Sequence, residues 1–298
     1  METAVSPSAD ASGRRRVIGI SNSLFFGCCL LIGGSYVLLI VAMLAADAAY
    51  VIGQSGAGDG GGWSSYISGN PVIQSLRDPK IQYSIWLSML SCTLSALLSL
   101  LVAVPMGYLM SRRRFPGRNL VDAVLDIPIV LPPLVVGLSL LILFQFPPFS
   151  KVAREIVYQV PSVIIAQFAV ACAFAVRTMK ATFDHIDPRC EQVAISLGCS
   201  RFQAFGSVVL PEADRGMMTA FTLAWARSLG EFGPLLIFAG ATRMKTEVLS
   251  TSVFLEMNVG NVSAAVAVSM IMVAVAVVVL ILMRVWGTPQ ATTDFTLH

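Results

Sequence analysis

Two opposite charges, Arg227 and Glu231, lie in an otherwise apolar segment. Their spacing of four residues places them on the same face of a helix. Charges at membrane depth are costly and normally face each other, a bundle interior or a water-filled cavity. Two interpretations stay open: a self-neutralising structural pair, or charges that line a path or gate. Gly230, Gly233 and Pro234 favour the second, since they predict a helix break beside the charges.

A second apolar segment contains three prolines, Pro128, Pro132 and Pro133. Proline inside a helix removes a backbone hydrogen bond and kinks the helix. Both a static kink and a moving hinge or constriction are consistent with this pattern. Gly137 and Ser139 would allow two helices to approach closely at this point.

Residue sets suited to catalysis are scarce in this chain. No Gly-x-x-x-x-Gly-Lys-Ser/Thr loop is present to cradle phosphates, and His185 and His298 are the only histidines. The six cysteines have no spacing typical of a metal site or of a disulfide framework. We therefore expect a non-catalytic protein without a bound cofactor or metal.

The composition places the chain in the membrane class. Of its 298 residues, 56% are hydrophobic and 12% are charged, against about 25% charged in a typical soluble domain. A spanning helix needs roughly 20 apolar residues. We predict an all-α polytopic membrane protein with six transmembrane helices at about 24–46, 84–110, 121–144, 156–176, 217–239 and 262–284.

Basic residues indicate the orientation of these helices. Arginine and lysine concentrate in one set of alternate connections, which should be cytosolic, so both termini are expected in the cytosol. The first apolar run is too long for a signal-peptide core, and we expect it to be retained. The predicted divisions are a cytosolic tail at 1–23, a first helix with a glycine-rich external loop at 24–83, a core domain at 84–284 and a cytosolic tail at 285–298.

A polar segment at 177–216 separates two apolar segments and is expected in the cytosol. Asp187-Pro188 is typical of a helix start, and Gly198 of a helix end. Ser200 and Gln203 form a capping-box pattern for a second helix. The first helix has apolar residues at helical spacing, namely Cys190, Val193, Ala194 and Leu197. Such short helices are marginal alone, so they must pack on this protein or on a partner.

This segment resembles the EAA loop of ATP-binding-cassette importer permeases. The matching residues within 187–211 are Gln192-Val193-Ala194, Gly198, Val208 and Leu210-Pro211. The first position departs from the family pattern, because Gln192 stands where the family has glutamate and Glu191 lies one residue earlier. Two further stretches, Ile127 to Gly137 and Ala226 to Gly233, resemble the third-helix and fifth-helix signatures of molybdate-type permeases.

The resemblance implies the residues that would carry each role. The ATPase-coupling residues would be Glu191, Gln192, Ala194, Gly198, Leu210 and Pro211. The pathway or gate would use Pro132, Pro133, Ser139, Arg227, Ser228 and Glu231. The external segment 240–261 is either an interfacial helix or a docking surface for a solute-binding protein, in which Arg243, Lys245 and Glu247 would take part.

The resemblance also implies the partners. They are ABC ATPase subunits that use ATP and Mg, a second permease copy in a homodimer, an extracytoplasmic solute-binding protein and membrane lipid, with no nucleic acid. The expected function is import of an oxyanion through a bacterial or archaeal cytoplasmic membrane. Two alternatives stay open: an importer of the same class for phosphate, iron or polyamine, and a secondary transporter that needs no ATPase.

Overall fold

The computed structural model describes residues 22–55 and 70–286, and the described part is helical without strands. Residues up to Tyr50 belong to one compact unit and residues from Val51 to the other. The α-helices in chain order are α1 (Asn22–Ser55), α2 (Pro71–Arg77), α3 (Pro79–Arg112), α4 (Arg118–Val130), α5 (Pro133–Leu143), α6 (Ala153–Ile156), α7 (Val160–His185), α8 (Pro188–Ser196), α9 (Arg201–Ala204), α10 (Leu210–Glu212), α11 (Asp214–Leu229), α12 (Leu249–Asn258) and α13 (Val262–Trp286). A 3₁₀ turn at Phe149–Lys151 and π-helical turns at Phe205–Val209 and Leu235–Ala239 complete the order.

The all-helical class is confirmed, and the number of continuous spans is smaller than predicted. Within the described residues, α3, α7, α13 and the stretch Phe26–Gly53 of α1 are long and apolar enough to cross a membrane. Helices α4 and α5 would form a fifth span together, although they meet at a bend of 112°. The predicted span at 217–239 is interrupted, because α11 ends at Leu229.

The boundaries around the first external loop also differ from the prediction at 47–83. Helix α1 extends to Ser55, α2 occupies Pro71–Arg77, and α3 begins at Pro79. Asn70 and Asp78 cap the starts of α2 and α3 through side-chain bonds to Val72 N and Lys80 N. Most of the glycine-rich stretch lies outside the described residues.

Three helices, α3, α7 and α11, form the centre of the second unit. The buried face of α3 carries small residues at helical spacing, namely Ser84, Ser88, Ser91, Ser95, Ser99, Ala103 and Gly107. Small residues let helices approach closely in a membrane, where packing replaces the hydrophobic driving force. A Cβ added at Gly107 would lie 2.8 Å from Met179 Cβ on α7. This tight centre fixes the frame on which the polar segment and the helix breaks are placed.

Candidate functional site

The polar segment folds as its local sequence predicts. Helix α8 begins with Asp187, whose carboxylate accepts a hydrogen bond from Arg189 N, and Pro188 takes the first helical position. The helix ends where Gly198 adopts a φ of +95°, a conformation that glycine reaches at little cost. Ser200 and Gln203 form the predicted reciprocal capping box. The second helix then continues from Arg201 through the π-helical turn to Glu212.

Glu191 fastens α8 to the end of α3. The hydroxyl of Tyr108 donates to Glu191 Oε1 at 2.5 Å, and Arg112 Nε lies 3.7 Å from Glu191 Oε2. Arg112 also donates to the carbonyl of Ile186 at 2.9 Å. The ring of Tyr108 packs edge-on against Phe205, with ring centroids 4.6 Å apart. The Glu191 carboxylate, the Arg112 guanidinium and the Tyr108 ring therefore all connect the polar segment to the end of α3.

The other residues of the predicted coupling set face different ways. Ala194 is buried, whereas Gln192 is exposed. Leu210 is half-buried and Pro211 is exposed. Of the apolar residues expected to share one face of α8, Val193 and Leu197 are 58% and 81% exposed. Thus α8 turns Glu191 and Ala194 inward and presents an apolar pair outward.

The predicted break beside the paired charges is confirmed. Helix α11 ends at Leu229, and helical structure resumes at Gly233, ahead of the π-helical turn Leu235–Ala239. Arg227 Nη1 lies 2.6 Å from Glu231 Oε1, and the Glu231 side chain is 1% exposed, whereas that of Arg227 is 32% exposed. The guanidinium also lies 5.4 Å from the centroid of the Phe174 ring, within reach of a cation–π interaction. The cation therefore occupies the accessible end of the pair.

Polar side chains from three other helices hold this break. The hydroxyls of Ser95 and Ser228 lie 3.2 Å apart, and the Gln167 amide donates to the Ser228 carbonyl at 3.3 Å. Ser250 donates to the backbone carbonyl of Glu231 at 2.7 Å. The role of Gln167 was not predicted, although an amide in an apolar helix is itself a signal of a polar contact.

The two broken segments pack on each other. A Cβ added at Gly137 would lie 2.7 Å from Pro234 Cα, and one added at Gly233 would lie 2.9 Å from Pro133 Cβ and Leu134 N. The proline segment is therefore divided into two helices, because α4 and α5 meet at a bend of 112°. Pro132 and Pro133 are exposed beside this junction. Ser139 is exposed as well. Of the predicted residues Gly137 and Ser139, only Gly137 makes the close approach.

We expect Gly137→Ala to destabilise this junction. The added methyl must displace the backbone at Pro234, and overpacking typically costs about 1–3 kcal/mol. Gly230→Ala is the matched control, because its Cβ would meet only backbone oxygens at 3.8 Å. Thermal unfolding of the purified protein in detergent, followed by circular dichroism, should show a lower Tm for Gly137→Ala alone. Equal Tm values for the two variants would contradict the close contact.

An ion-pair cluster between α4 and α7 was not predicted. Arg177 forms a two-point contact with Asp126, and Lys180 Nζ donates to both oxygens of Asp122 at 3.0 and 3.1 Å. The sequence carries a signal of these ion pairs. Asp122 and Asp126 are four residues apart and Arg177 and Lys180 are three apart, so each pair lies on one face of its helix. Helix α7 continues to His185, beyond the predicted end of this span at 176.

The external segment requires one correction. The expectation that Glu247 contributes to a docking surface is wrong, because its side chain is fully buried. Glu247 accepts a hydrogen bond from Ser252 at 2.9 Å, and Arg243 Nη1 lies 3.9 Å from it and 2.9 Å from Glu256 Oε1. Lys245 is exposed. The predicted short helix is confirmed as α12, from Leu249 to Asn258.

A family model described as "Binding-protein-dependent transport system inner membrane component" matches residues 103–287. The chain belongs to this family of ABC importer permeases.

Similar sequences are permeases for oxyanions. The sulfate transport system permease protein CysT of Escherichia coli (strain K12) is 32% identical over 195 residues, covering 64% of this chain and 70% of that protein. The molybdate/tungstate transport system permease protein WtpB of Thermococcus kodakarensis is 35% identical over 168 residues, covering 56% of this chain and 65% of that protein.

The fold is also similar to that of solved importers. A chain of a bacterial ABC transporter involved in the import of the acidic polysaccharide alginate superposes with a TM-score of 0.68 at 16% identity, covering 90% of this chain and 96% of that chain. A second match, with a TM-score of 0.66, 16% identity and coverage of 89% and 94%, is that alginate transporter in complex with a periplasmic protein bound to an alginate pentasaccharide. At this identity the likeness establishes the fold alone.

Proposed function

We propose that this chain is the translocating subunit of an ATP-driven importer for an oxyanion such as sulfate, molybdate or tungstate. Family membership gives the importer class, and the sulfate and molybdate/tungstate permeases among its relatives support the solute class. In this proposal the solute enters the cytoplasm through the inner membrane. An external binding protein delivers it, and a separate ATPase chain supplies the energy.

The observation that carries the proposal is the anchored helix α8 with its outward apolar pair. Glu191 holds the helix on Tyr108 and Arg112, while Val193 and Leu197 point away from the bundle. A short helix with apolar residues four apart suits insertion into a groove on a soluble partner. The partner would be the ATPase, which would bind ATP and Mg, and the Glu191 anchor would transmit its movement to α3.

Arg227 and the helix breaks support the assignment of the pathway. A guanidinium offers several hydrogen-bond donors to an oxyanion, and Arg227 is the exposed partner of its ion pair. Glu231 partly cancels the charge, which disfavours tight binding and suits a site that a dianion passes through. Because the two breaks interlock at Gly137 and Gly233, a movement of α4 and α5 would shift the segment that carries Glu231.

The remaining partners follow from the class of transporter. A second copy of the permease would complete the pathway in a homodimer, and the lipid bilayer surrounds both copies. The docked binding protein would face the external segment, where Lys245 is exposed and Arg243 is partly exposed. Pro132, Pro133, Ser139 and Ser228 are retained as pathway or gate residues in this proposal.

Co-purification with the ATPase tests the docking role of α8. Val193→Ser with Leu197→Ser changes only exposed side chains, so the permease should fold and insert as before while the ATPase no longer co-purifies. Val259→Ser is the matched control, because Val259 is 72% exposed in the external segment. Retention of the ATPase by the double variant would contradict the proposal.

A further inference from the structure

A groove of about 820 Å³ lies between the end of α3 and the polar segment. One wall is formed by Val104, Pro105 and Leu109 of α3, and the other by Ile195 and Phe202 of the polar segment. Arg112, Arg113 and Arg201 are also part of the lining. The groove therefore combines apolar walls with three basic side chains.

The arginines differ in how they are used. Arg112 is engaged by Glu191 and by the carbonyl of Ile186. Arg113 and Arg201 form no ion pair with any residue in the part of the chain that the structure describes. Glu191 is the only acidic residue in the lining of this groove, and its carboxylate is already held by Tyr108 and Arg112. The guanidiniums of Arg113 and Arg201 are thus available to an anion in the groove.

The apolar wall beside the arginines indicates the kind of anion. From Val104 to Arg112 the helix rises about 12 Å, and α3 is one of the helices long and apolar enough to cross a membrane. A phospholipid can use both features, with an acyl chain along the apolar wall and its phosphate beside the arginines.

We propose that this groove binds one anionic phospholipid from the leaflet on the side of the polar segment. The lipid would contact both α3 and the polar segment, so it would stabilise the contact that Glu191 makes between them. The proposed lipid site does not depend on which solute is transported. Its test is separate from that of the proposed function, because lipid binding is measured without transport.

Lipid titration of the delipidated full-length protein tests the site. Phosphatidylglycerol is added in detergent, and bound lipid is counted by native mass spectrometry. We expect Arg113→Gln with Arg201→Gln to weaken phosphatidylglycerol binding roughly 20-fold, since each arginine near an anionic lipid contributes about a factor of five. Arg113→Lys with Arg201→Lys should retain most of the affinity, and phosphatidylcholine should bind weakly to every variant.

Arg114→Gln with Arg215→Gln is the matched control, because both side chains are exposed and lie outside the groove. It should leave the affinity for phosphatidylglycerol nearly unchanged. An equal loss in both glutamine pairs would show general surface attraction and overturn the proposal, as would an unchanged affinity in the groove pair. Displacement of the lipid by inorganic phosphate would assign the site to a free anion instead. If Arg113→Gln with Arg201→Gln lost ATPase co-purification while its lipid binding stayed unchanged, the groove would be assigned to the ATPase instead.

Discussion

Arg227→Ala is expected to lower ATP-driven oxyanion uptake by about tenfold or more, since a hydrogen bond to a charged group contributes about 1.5–3 kcal/mol. The single variant also leaves the carboxylate of Glu231 unpaired at 1% exposure, and breaking a buried pair costs about 3–5 kcal/mol. It should therefore lose both transport and folded yield. Uptake into proteoliposomes, normalised to the amount of inserted protein, measures the transport effect.

A double variant separates the two effects. Arg227→Met with Glu231→Gln removes both charges and keeps similar side-chain volumes, so the folded yield should recover while uptake stays low. Arg227→Lys keeps a cation and should retain part of the activity. Wild-type uptake by the double variant would show that the pair serves only the structure.

Gly198→Pro is expected to abolish ATPase co-purification without preventing membrane insertion. Gly198 has a φ of +95°, which proline cannot adopt because its ring holds φ near about −65°. The turn between α8 and α9 would be lost, and helices this short do not persist without their packing. Gly198→Ala should weaken the same association to a lesser degree, since a non-glycine residue at positive φ costs about 1–3 kcal/mol.

Gly206→Ala is the control for this pair, because Gly206 lies in the same segment and its added Cβ would meet no atom within 4 Å. It should co-purify with the ATPase as the unaltered protein does. If Gly198→Pro co-purified equally well, the turn would have no part in docking.

Local features of the polar segment were predictable, because caps and turns depend on residues close in sequence. Asp187, Gly198 and Ser200 each determine the backbone within a few residues of themselves. The contact of Glu191 was not predictable, since its partner Tyr108 is 83 residues away. Glu191 contacts α3, whereas its neighbour Gln192 is exposed.

Contacts between apolar helices were harder to predict for a physical reason. A segment that is apolar all round gives no periodicity to show which face meets a neighbour. The breaks at the prolines and glycines could be located, but not the contact of Gly137 with Pro234. Glu247 was predicted at the surface, whereas its side chain is buried, with Ser252 donating to its Oε1 and Arg243 3.9 Å away.

Uptake by a reconstituted system is the most direct test of ATP-driven oxyanion import. The permease, its ATPase and the external binding protein are placed in proteoliposomes, and accumulation of labelled sulfate or molybdate is followed with each component omitted in turn. We predict accumulation only when ATP, the ATPase and the loaded binding protein are all present. Accumulation that persists without any ATPase chain would contradict ATP-driven import and would favour a secondary transporter.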